Sequence, residues 1–190
     1  MASYIQSKNP LCHVDVGSRI DGFVAHVASF RSIEVLDVRK LKASGHRNII
    51  FKQMNLMDSA LVQPEICDSL SCLHAIEHFG LGRYGDPIQP DGHLLGFENL
   101  LKMLKIGGTL YISFPIGFRD EVHFNAHRIF SPRSILTWQN SVPLELLSFS
   151  YVDDSGDLHR EVSMDDVPIS TRYGCGIYTF KKHESKKCNL

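Results

Sequence analysis

The feature that most constrains the fold is an alternation of short apolar runs with stretches of helical pattern. FVAHVASF has the pattern of a helix and stands between the first two of four apolar runs: LCHVDVG, IEVLDVR, NIIFKQMNL and CDSLSCLHAI. Runs of this length are typical of buried strands. Strands that alternate with helices form β-α-β units, in which neighbouring strands are parallel. We therefore predict an α/β fold with a mainly parallel sheet.

A loop and a helix are predicted after the fourth strand. Residues 80–96 are dense in glycine and proline, which favours a long loop at the ligand-bearing edge of the sheet. GFENLLKMLKIGG then has apolar residues spaced for one helical face. Gly107 and Gly108 are expected to end this helix. The residues on its apolar face are Phe97, Leu100, Leu101 and Leu104.

The remaining pattern completes a single domain. GTLYISFPIG is a fifth strand, residues 133–138 favour a short helix, and two late strands follow, LELLSFSYVD and GCGIYTFKK. A chain of 190 residues suits one compact domain. We predict that domain over residues 1–180 and a polar tail over residues 181–190.

The composition argues against several classes of binding partner. The formal net charge is -1, so the chain has no electrostatic footprint for nucleic acid or for an anionic membrane. The five cysteines are scattered without a C-x-x-C pair, which argues against a disulfide framework or a cysteine zinc site. The first residues lack the apolar core of a secretory signal. We expect a cytoplasmic protein that binds neither nucleic acid nor membrane.

Two residues at strand ends indicate a nucleoside ligand. Gly17 ends the first strand, and Asp37 stands 20 residues later, at the end of the second. Ligands of open parallel sheets bind beyond the carboxyl ends of the strands, where a carboxylate accepts hydrogen bonds from a ribose diol. Taken singly, Gly17 is also compatible with a simple turn and Asp37 with an exposed polar residue. Their separation and placement favour the nucleoside.

Several motifs resemble those of Rossmann-like S-adenosylmethionine-dependent methyltransferases. Asp15-Val-Gly17 resembles the start of the D-x-G-x-G-x-G loop, Asp37 resembles the ribose-binding acid, and Ala75-Ile-Glu77-His78 ends a fourth-strand segment as Leu-Glu-His often does in that family. LKIGGTL is similar to the Leu-Lys-Pro-Gly-Gly turn before the fifth strand. More narrowly, GLGRYGDPIQPDGH and HFNAHRIFSP resemble a methyltransferase-like domain family of unknown function.

The resemblance implies a fold, a cofactor and a binding site. The expected fold is a Rossmann-like methyltransferase fold, with a mainly parallel central sheet of about seven strands, helices on both faces and an antiparallel last strand. The implied cofactor is S-adenosylmethionine. The implied cofactor-binding residues are Asp15, Gly17, Ser18, Arg19, Asp37, Val38, Asn55, Leu56, Leu73 and His74.

The sequence departs from the family at two places. Arg19 and Asp21 stand where the second and third glycines of the loop belong. Arg19 could bind the methionyl carboxylate of the cofactor or pair with Asp21 or Asp37. Only about a dozen residues precede the first strand, where the family usually has a helix over the cofactor. The pocket is then open, completed by a partner subunit as in a homodimer, or incompetent.

Methyl transfer from a sulfonium is an in-line displacement that depends mainly on positioning. The expected acceptor is an oxygen or nitrogen of a small molecule or of a glycan, and a hydroxyl acceptor needs a base, for which histidine is suited. Tyr84 and Asp86 are candidates for an acceptor site or a lid. As alternatives, the histidines are hydrogen-bonded loop residues, and Glu77 serves as a cap or pairs with Arg83 or Arg128. The candidate catalytic residues are His78, Glu77, His123 and His127.

Two other functions remain open. His74, Glu77 and His78 form an H-x-x-E-H pattern, which in zinc peptidases lies within one helix and would here support a metal-dependent hydrolase. The residues before His74 have the pattern of a strand, so we predict no metal site there. The altered glycine loop instead favours a second alternative, a methyltransferase-like module that binds or assembles without catalysis.

Overall fold

The computed structural model describes residues 1–42, 45–138 and 142–184. Its centre is an eight-stranded sheet with the order β3-β2-β1-β4-β5-β10-β8-β9. A separate two-stranded hairpin pairs β6 with β7. The strands are β1 (His13–Val16), β2 (Ile33–Asp37), β3 (Ile49–Gln53), β4 (Cys67–Leu73), β5 (Leu104–Ile116), β6 (Glu121–His123), β7 (His127–Ile129), β8 (Leu144–Val152), β9 (Leu158–His159) and β10 (Gly174–Lys182).

The first five strands of the sheet are parallel, which confirms the predicted α/β class and the Rossmann-like order. The chain leaves β1 to form β2 and β3 on one side, and it returns to form β4 and β5 on the other. Side chains at this reversal of strand order border a crevice. The other three strands, β8, β9 and β10, are antiparallel to their neighbours. The sheet has eight strands in total, whereas about seven were predicted.

Alternating side chains give the sheet two buried faces. Val14 and Val16 pack on one face in a cluster with α3 (Gly92–Met103), whereas Ile33 and Val35 pack on the other with α2 (Phe23–Ala28). In β5, Tyr111 joins the second cluster while its neighbours join the first. This period of two places helices on both faces, as predicted. No helix in the described part of the chain is long and apolar enough to cross a membrane.

The N-terminal segment forms a helix, contrary to the sequence interpretation. Helix α1 (Ala2–Lys8) packs against α2 through Ile5, which is fully buried beside Val24 and Val27. Its seven residues carry too few apolar positions for a recognisable helical period. The residues of α1 do not line the cleft described below, so this helix supports the sheet without covering a ligand.

The boundaries of the central helix also differ from the prediction. Helix α3 begins at Gly92, so the loop before it is shorter than residues 80–96, and it ends at Met103 rather than at Gly107. Strand β5 starts at the next residue, Leu104, and Gly107 has a φ of 78° inside an irregular stretch of that strand. The short helix predicted over residues 133–138 is present as a 3-10 helix, Ser134–Thr137.

The C-terminal end of β10 contacts the C-terminal end of α3. Lys182 belongs to β10 and is buried, and its Nζ donates hydrogen bonds to the carbonyls of Leu101 and Leu104 at 2.9 and 2.6 Å. A cation at the C-terminus of a helix satisfies carbonyls that lack partners within the helix. A polar tail therefore starts no earlier than residue 183, and residues 185–190 lie outside the described part of the chain.

Candidate functional site

A cleft of about 390 Å³ opens at the carboxyl ends of β1, β2, β3 and β4. Pockets of a few hundred cubic ångströms suit small molecules and cofactors. Asp15 does not line it, and neither do Glu77, His123 and His127. The predicted site residues that do line it are Gly17, Ser18, Arg19, Asp37, Val38, Asn55, Leu56, Leu73, His74 and His78, together with Tyr84 and Asp86.

Gly17 makes the turn at the bottom of the cleft. Its φ is 81°, and a Cβ built there would stand 2.4 Å from the Cβ of Ala75. Its N–H donates to the carbonyl of Leu36 at 2.8 Å, which ties the end of β1 to the end of β2. Only glycine combines this backbone conformation with so close a neighbour. The turn therefore presents bare backbone to the cleft.

Asp37 is buried at the end of β2 and is paired with Arg39. The Arg39 Nε lies 3.0 Å from one carboxylate oxygen of Asp37 and 3.1 Å from the other, and the Arg39 N–H also donates to the carboxylate at 2.7 Å. Arg39 Nη2 reaches the Gly17 carbonyl at 3.2 Å, and the guanidinium lies 4.9 Å from the ring centre of Tyr84. Hydrogen bonds to Asp37 raise the pKa of Arg39. The side chain of Arg39 thus contacts both the Gly17 carbonyl and the Asp37 carboxylate. The sequence analysis did not identify Arg39 as a site residue.

Arg19 lies away from Asp37. Its guanidinium pairs with Asp21 at 2.8 Å, and both side chains are mostly exposed. Of the partners considered for Arg19, the structure shows Asp21. The two residues that replace family glycines therefore satisfy each other at the rim, which leaves the floor of the cleft open at Gly17.

The buried Asp15 belongs to a series of hydrogen-bonded polar side chains next to the Gly17 turn. Ser71 donates to its carboxylate, and the Ser18 N–H does so at 3.3 Å. Since the Ser71 proton goes to Asp15, its oxygen accepts from His13 Nε2 at 3.2 Å, and His13 Nδ1 accepts from Ser69 at 2.8 Å. Burial lowers the pKa of His13 to about 3 and raises the pKa of Asp15 to about 6. Asp15, which was predicted as a cofactor-binding residue, is fully buried and does not line the cleft.

The end of β3 supplies a mixed wall of the cleft. The Asn55 side-chain oxygen accepts from the N–H of Met57 at 3.0 Å, and the N–H of Met54 donates to the Asp37 carbonyl at 2.9 Å. Leu56 and Met57 line the cleft beside Asn55. This wall has the apolar surface and the amide group that suit a flat heterocycle.

The loop after β4 is held by Asp86. Its carboxylate accepts hydrogen bonds from the N–H groups of Gly80, Gly82 and Tyr84, at 2.9, 3.3 and 3.1 Å. These bonds fold the segment into a compact turn that carries Tyr84 over Arg39. Tyr84 and Asp86 were predicted to line an acceptor site, and both lie at the cleft.

His74 joins a thiol to a buried carboxylate at the end of β4. Its Nε2 lies 2.9 Å from Cys175 Sγ, and its Nδ1 lies 3.2 Å from Glu77 Oε1. Hydrogen bonds that the ring donates to Cys175 and then to Glu77 raise the pKa of His74 to about 10. Glu77 is 1% exposed, and its Oε2 has no hydrogen-bond partner. Cys175, which lies near the beginning of β10, was not among the predicted site residues.

Glu77 does not pair with Arg83 or Arg128, because its Oε1 lies 3.2 Å from His74 Nδ1 and 3.7 Å from His78 Nε2. Arg128 instead donates to backbone carbonyls of Glu77, Phe79 and Pro90, at 3.4, 2.6 and 2.8 Å. Arg128 therefore stabilises the loop after β4 by binding the backbone carbonyls of that loop.

The other histidines form a cluster beside the cleft, made of His78, His123 and His127. His78 Nδ1 donates to the Ala126 carbonyl at 2.6 Å, and its Nε2 lies 3.7 Å from Glu77 Oε1. Its ring lies 5.4 Å from Tyr84 and 6.5 Å from His127, which stacks on His123 across the β6–β7 hairpin at 5.2 Å. Burial, and then the nearby His123 and His78, lower the pKa of His127. Of the cluster, His78 alone lines the cleft.

The H-x-x-E-H pattern does not form a helical metal site. His74 follows β4 with a φ of 53°, and His78 ends a 3-10 helix, Ile76–His78. Within residues 1–42, 45–138 and 142–184, no group of three or more histidine, cysteine, aspartate or glutamate side chains is arranged to hold a metal ion.

Residues 49–138 are similar to a known family. They match the family DUF268, described as a Caenorhabditis protein of unknown function. The matched stretch contains GLGRYGDPIQPDGH and HFNAHRIFSP, the segments behind the narrower resemblance. No curated protein matches the sequence significantly.

Solved structures resemble the chain over nearly its whole length. The cyclase SpnF has a TM-score of 0.64 at 14% identity, over 90% of this chain and 75% of its own. The N-methyltransferase NodS from Bradyrhizobium japonicum WM9, solved with S-adenosyl-L-homocysteine, has a TM-score of 0.61 at 15% identity, over 95% and 82%. The 1,6-didemethyltoxoflavin N1-methyltransferase of Burkholderia thailandensis has 0.62 at 12%, over 96% and 76%. The chain has the Rossmann-like fold of S-adenosylmethionine-dependent methyltransferases.

Proposed function

We propose that the chain binds S-adenosylmethionine in the cleft and transfers its methyl group to an oxygen or nitrogen of a small-molecule or sugar-containing acceptor. The observation that carries this proposal is the convergence of the Gly17 turn and the buried Asp37 on one cleft. NodS and the toxoflavin methyltransferase were both solved with S-adenosylhomocysteine, and both have this fold.

The residues present fit such a cofactor once Arg39 moves. A Cβ at Gly17 would clash with Ala75, which also lines the cleft, so glycine is the residue that lets the backbone of this turn border the cleft. Asp37 suits a ribose diol, and the wall formed by Asn55 and Leu56 suits adenine. Because Arg39 occupies the Asp37 carboxylate, its partly exposed side chain must rotate or share that carboxylate with the ribose.

The cofactor supplies an electrophilic methyl group on a sulfonium, and the chain supplies position and a base. His78 is the base that the geometry favours, because it lines the cleft and its Nε2 lies 3.7 Å from the Glu77 carboxylate, which stabilises a proton taken up on the ring. The Ala126 carbonyl fixes the orientation of the ring, so His78 receives a proton at Nε2 when the acceptor is a hydroxyl. The Tyr84 ring contacts the His78 ring edge to face at 5.4 Å and helps to hold its orientation.

Thermal unfolding with S-adenosylhomocysteine tests the proposal. A ligand that binds only the folded state raises the melting temperature, by an amount set by its concentration relative to Kd. We expect a rise for the wild type, its loss in Asp37→Ala, and its retention in Asp157→Ala, which removes an exposed acid that does not line the cleft. No rise at millimolar ligand in the wild type, or an equal rise in Asp37→Ala, would overturn the proposal.

A second candidate is a module with this fold that binds without methyl transfer. The contact between Arg39 and Asp37 favours it, because this ion pair occupies the group that a ribose would need. SpnF has the same fold and is a cyclase. Under this hypothesis the wild type shows no shift with S-adenosylhomocysteine, whereas Arg39→Ala exposes Asp37 and gains one.

A further inference from the structure

His74, Cys175 and Glu77 form a line of three hydrogen-bonding groups that the proposed methyl transfer does not use. The thiol and the carboxylate contact opposite nitrogens of the same imidazole, at 2.9 and 3.2 Å. Cys175 comes from β10 and the other two residues from the end of β4, with Cys175 and His74 separated by 101 residues. A nucleophile, a base and a group that orients the base make up the arrangement by which proteins activate a thiol.

The burial of Glu77 determines the charge state of the His74 imidazole. A buried carboxylate is stable only when a charge or several hydrogen bonds compensate it, and Glu77 Oε2 has no hydrogen-bond partner. Two imidazoles approach Oε1, His74 Nδ1 at 3.2 Å and His78 Nε2 at 3.7 Å, and only the first is within hydrogen-bond distance. The His74 imidazole is therefore the principal compensating group, held as a cation that donates from both nitrogens. Its Nε2–H points at Cys175 Sγ, which must accept that hydrogen bond, and a thiolate is the stronger acceptor.

The backbone at His74 supports a functional interpretation. Its φ of 53° lies in the left-handed region, which is unfavourable for a histidine, and a hydrogen bond from its N–H to the Ser113 carbonyl at 2.9 Å holds it there. Such strain is concentrated at binding and catalytic positions. The conformation directs the ring between the carboxylate and the sulfur.

Cys175 differs from the other cysteines that the structure describes. Cys67 and Cys72 are buried, and burial raises the pKa of both thiols. Cys12 is partly exposed, but burial and nearby carboxylates also raise its pKa. Cys175 is partly exposed and, of these four, it has a histidine nitrogen within hydrogen-bond distance.

We propose that Cys175 is a nucleophilic thiolate, activated by His74 and oriented through Glu77, and that it takes small disulfides as its electrophile. The thiolate sulfur bonds to one sulfur of the disulfide, and the bond between the two disulfide sulfurs breaks. The other half leaves with the electron pair as a thiolate, which takes a proton from water. A mixed disulfide remains on Cys175, and a free thiol reverses the reaction. Because His74 lines the cleft, the adduct stands at its edge.

The test is the rate at which bis(2-hydroxyethyl) disulfide modifies Cys175, measured by mass spectrometry of peptides from the full chain carrying Cys188→Ser. We expect Cys175 to react at least about tenfold faster than Cys12, since thiolate content sets the rate. His74→Asn should slow Cys175 about tenfold or more, because asparagine tolerates a positive φ and cannot accept the proton. His26→Asn, on the exposed face of α2, should leave the rate unchanged. Equal rates at Cys175 and Cys12, or a His74→Asn rate equal to that of the parent, would overturn the proposal.

A second measurement does not depend on the folding of a histidine variant. At neutral pH, the ultraviolet thiolate absorbance of the parent should exceed that of Cys175→Ser by one thiolate per chain. No difference between the two would also overturn the proposal. Neither readout requires a cofactor, so failure here is distinct from failure of S-adenosylhomocysteine to bind.

Discussion

Arg39 neutralises Asp37 from a position two residues further along the chain, with its guanidinium against the carboxylate and its backbone N–H on the same group. Asp37 is 4% exposed, so it has little access to water as a substitute partner. The same guanidinium reaches the turn at Gly17 and the ring of Tyr84. This ion pair therefore determines the charge of the cleft next to Gly17 and Tyr84.

Removing one member of this pair should cost more stability than removing both. Arg39→Met leaves a buried carboxylate unpaired, and we expect a loss of about 1–3 kcal/mol in the free energy of unfolding, below the range for fully buried pairs because Arg39 is partly exposed. The double variant with Asp37→Asn should recover most of that loss. Urea unfolding of both single variants and the double variant measures the coupling. Additive losses would show that the pair contributes little.

Gly17→Ala should destabilise the protein and abolish the shift with S-adenosylhomocysteine. The new methyl group meets Ala75 at 2.4 Å, and the φ of 81° is strained for alanine. Gly156→Ala is the matched control, because its φ is 90° but no atom lies within 4 Å of the position that its new Cβ would take. We expect about 1 kcal/mol for Gly156→Ala and about 2–4 kcal/mol for Gly17→Ala, measured by chemical unfolding. Equal losses would exclude a role for the contact with Ala75.

The buried His13 should make folding sensitive to acid. Its folded pKa of about 3 lies below the ordinary histidine value of 6.5, so between these values the unfolded chain binds a proton that the folded chain does not. Stability should therefore fall as pH decreases from 6.5 towards 3, with a slope of up to about 1.4 kcal/mol per pH unit from this residue. Asp15, whose folded pKa is raised to about 6, contributes with the opposite sign below that pH.

His13→Asn separates these two contributions. The variant lacks the titrating imidazole, so its unfolding free energy should decrease less steeply over the same pH range, while the contribution of Asp15 remains. Denaturant titrations at a series of pH values give both slopes. Identical slopes for the wild type and the variant would assign the acid sensitivity to other groups.

Lys182→Met should destabilise the junction between α3 and β5. The substitution keeps the apolar stem but removes the ammonium that serves the carbonyls of Leu101 and Leu104. Two buried carbonyls then lose a donor, at a cost of about 1–3 kcal/mol. Lys181→Met, at the neighbouring and more exposed position in β10, should change stability by less than about 0.5 kcal/mol. Thermal unfolding of both variants checks this contrast.

The sequence predicted the parts of the site that follow from strand order. Gly17 and Asp37 were recognised because the carboxyl ends of parallel strands meet at one edge, so position along the chain fixes position in space. Arg39 was missed because its neighbours in sequence do not reveal which way a long side chain turns. Helix α1 was missed because seven residues contain too little periodicity.

Contacts made by the antiparallel strands β8, β9 and β10 could not be predicted in the same way. Cys175 meets His74 only because β10 pairs with β5 in one register, with Cys175 opposite Pro115. A change of one residue in that register would turn the thiol to the other face of the sheet. Apolar alternation identifies β10 as a strand but does not specify its partner.

The position of β10 between β5 and β8 has a consequence for synthesis on the ribosome. The strands that border the cleft, β1 to β4, lie within the first 73 residues and can pair while the rest of the chain is still being made. Strands β5 and β8 are not neighbours, so each has an unpaired edge until residues 174–182 emerge. The Cys175 thiol therefore reaches His74 in the closing step of assembly, after the strands that border the cleft have had time to form.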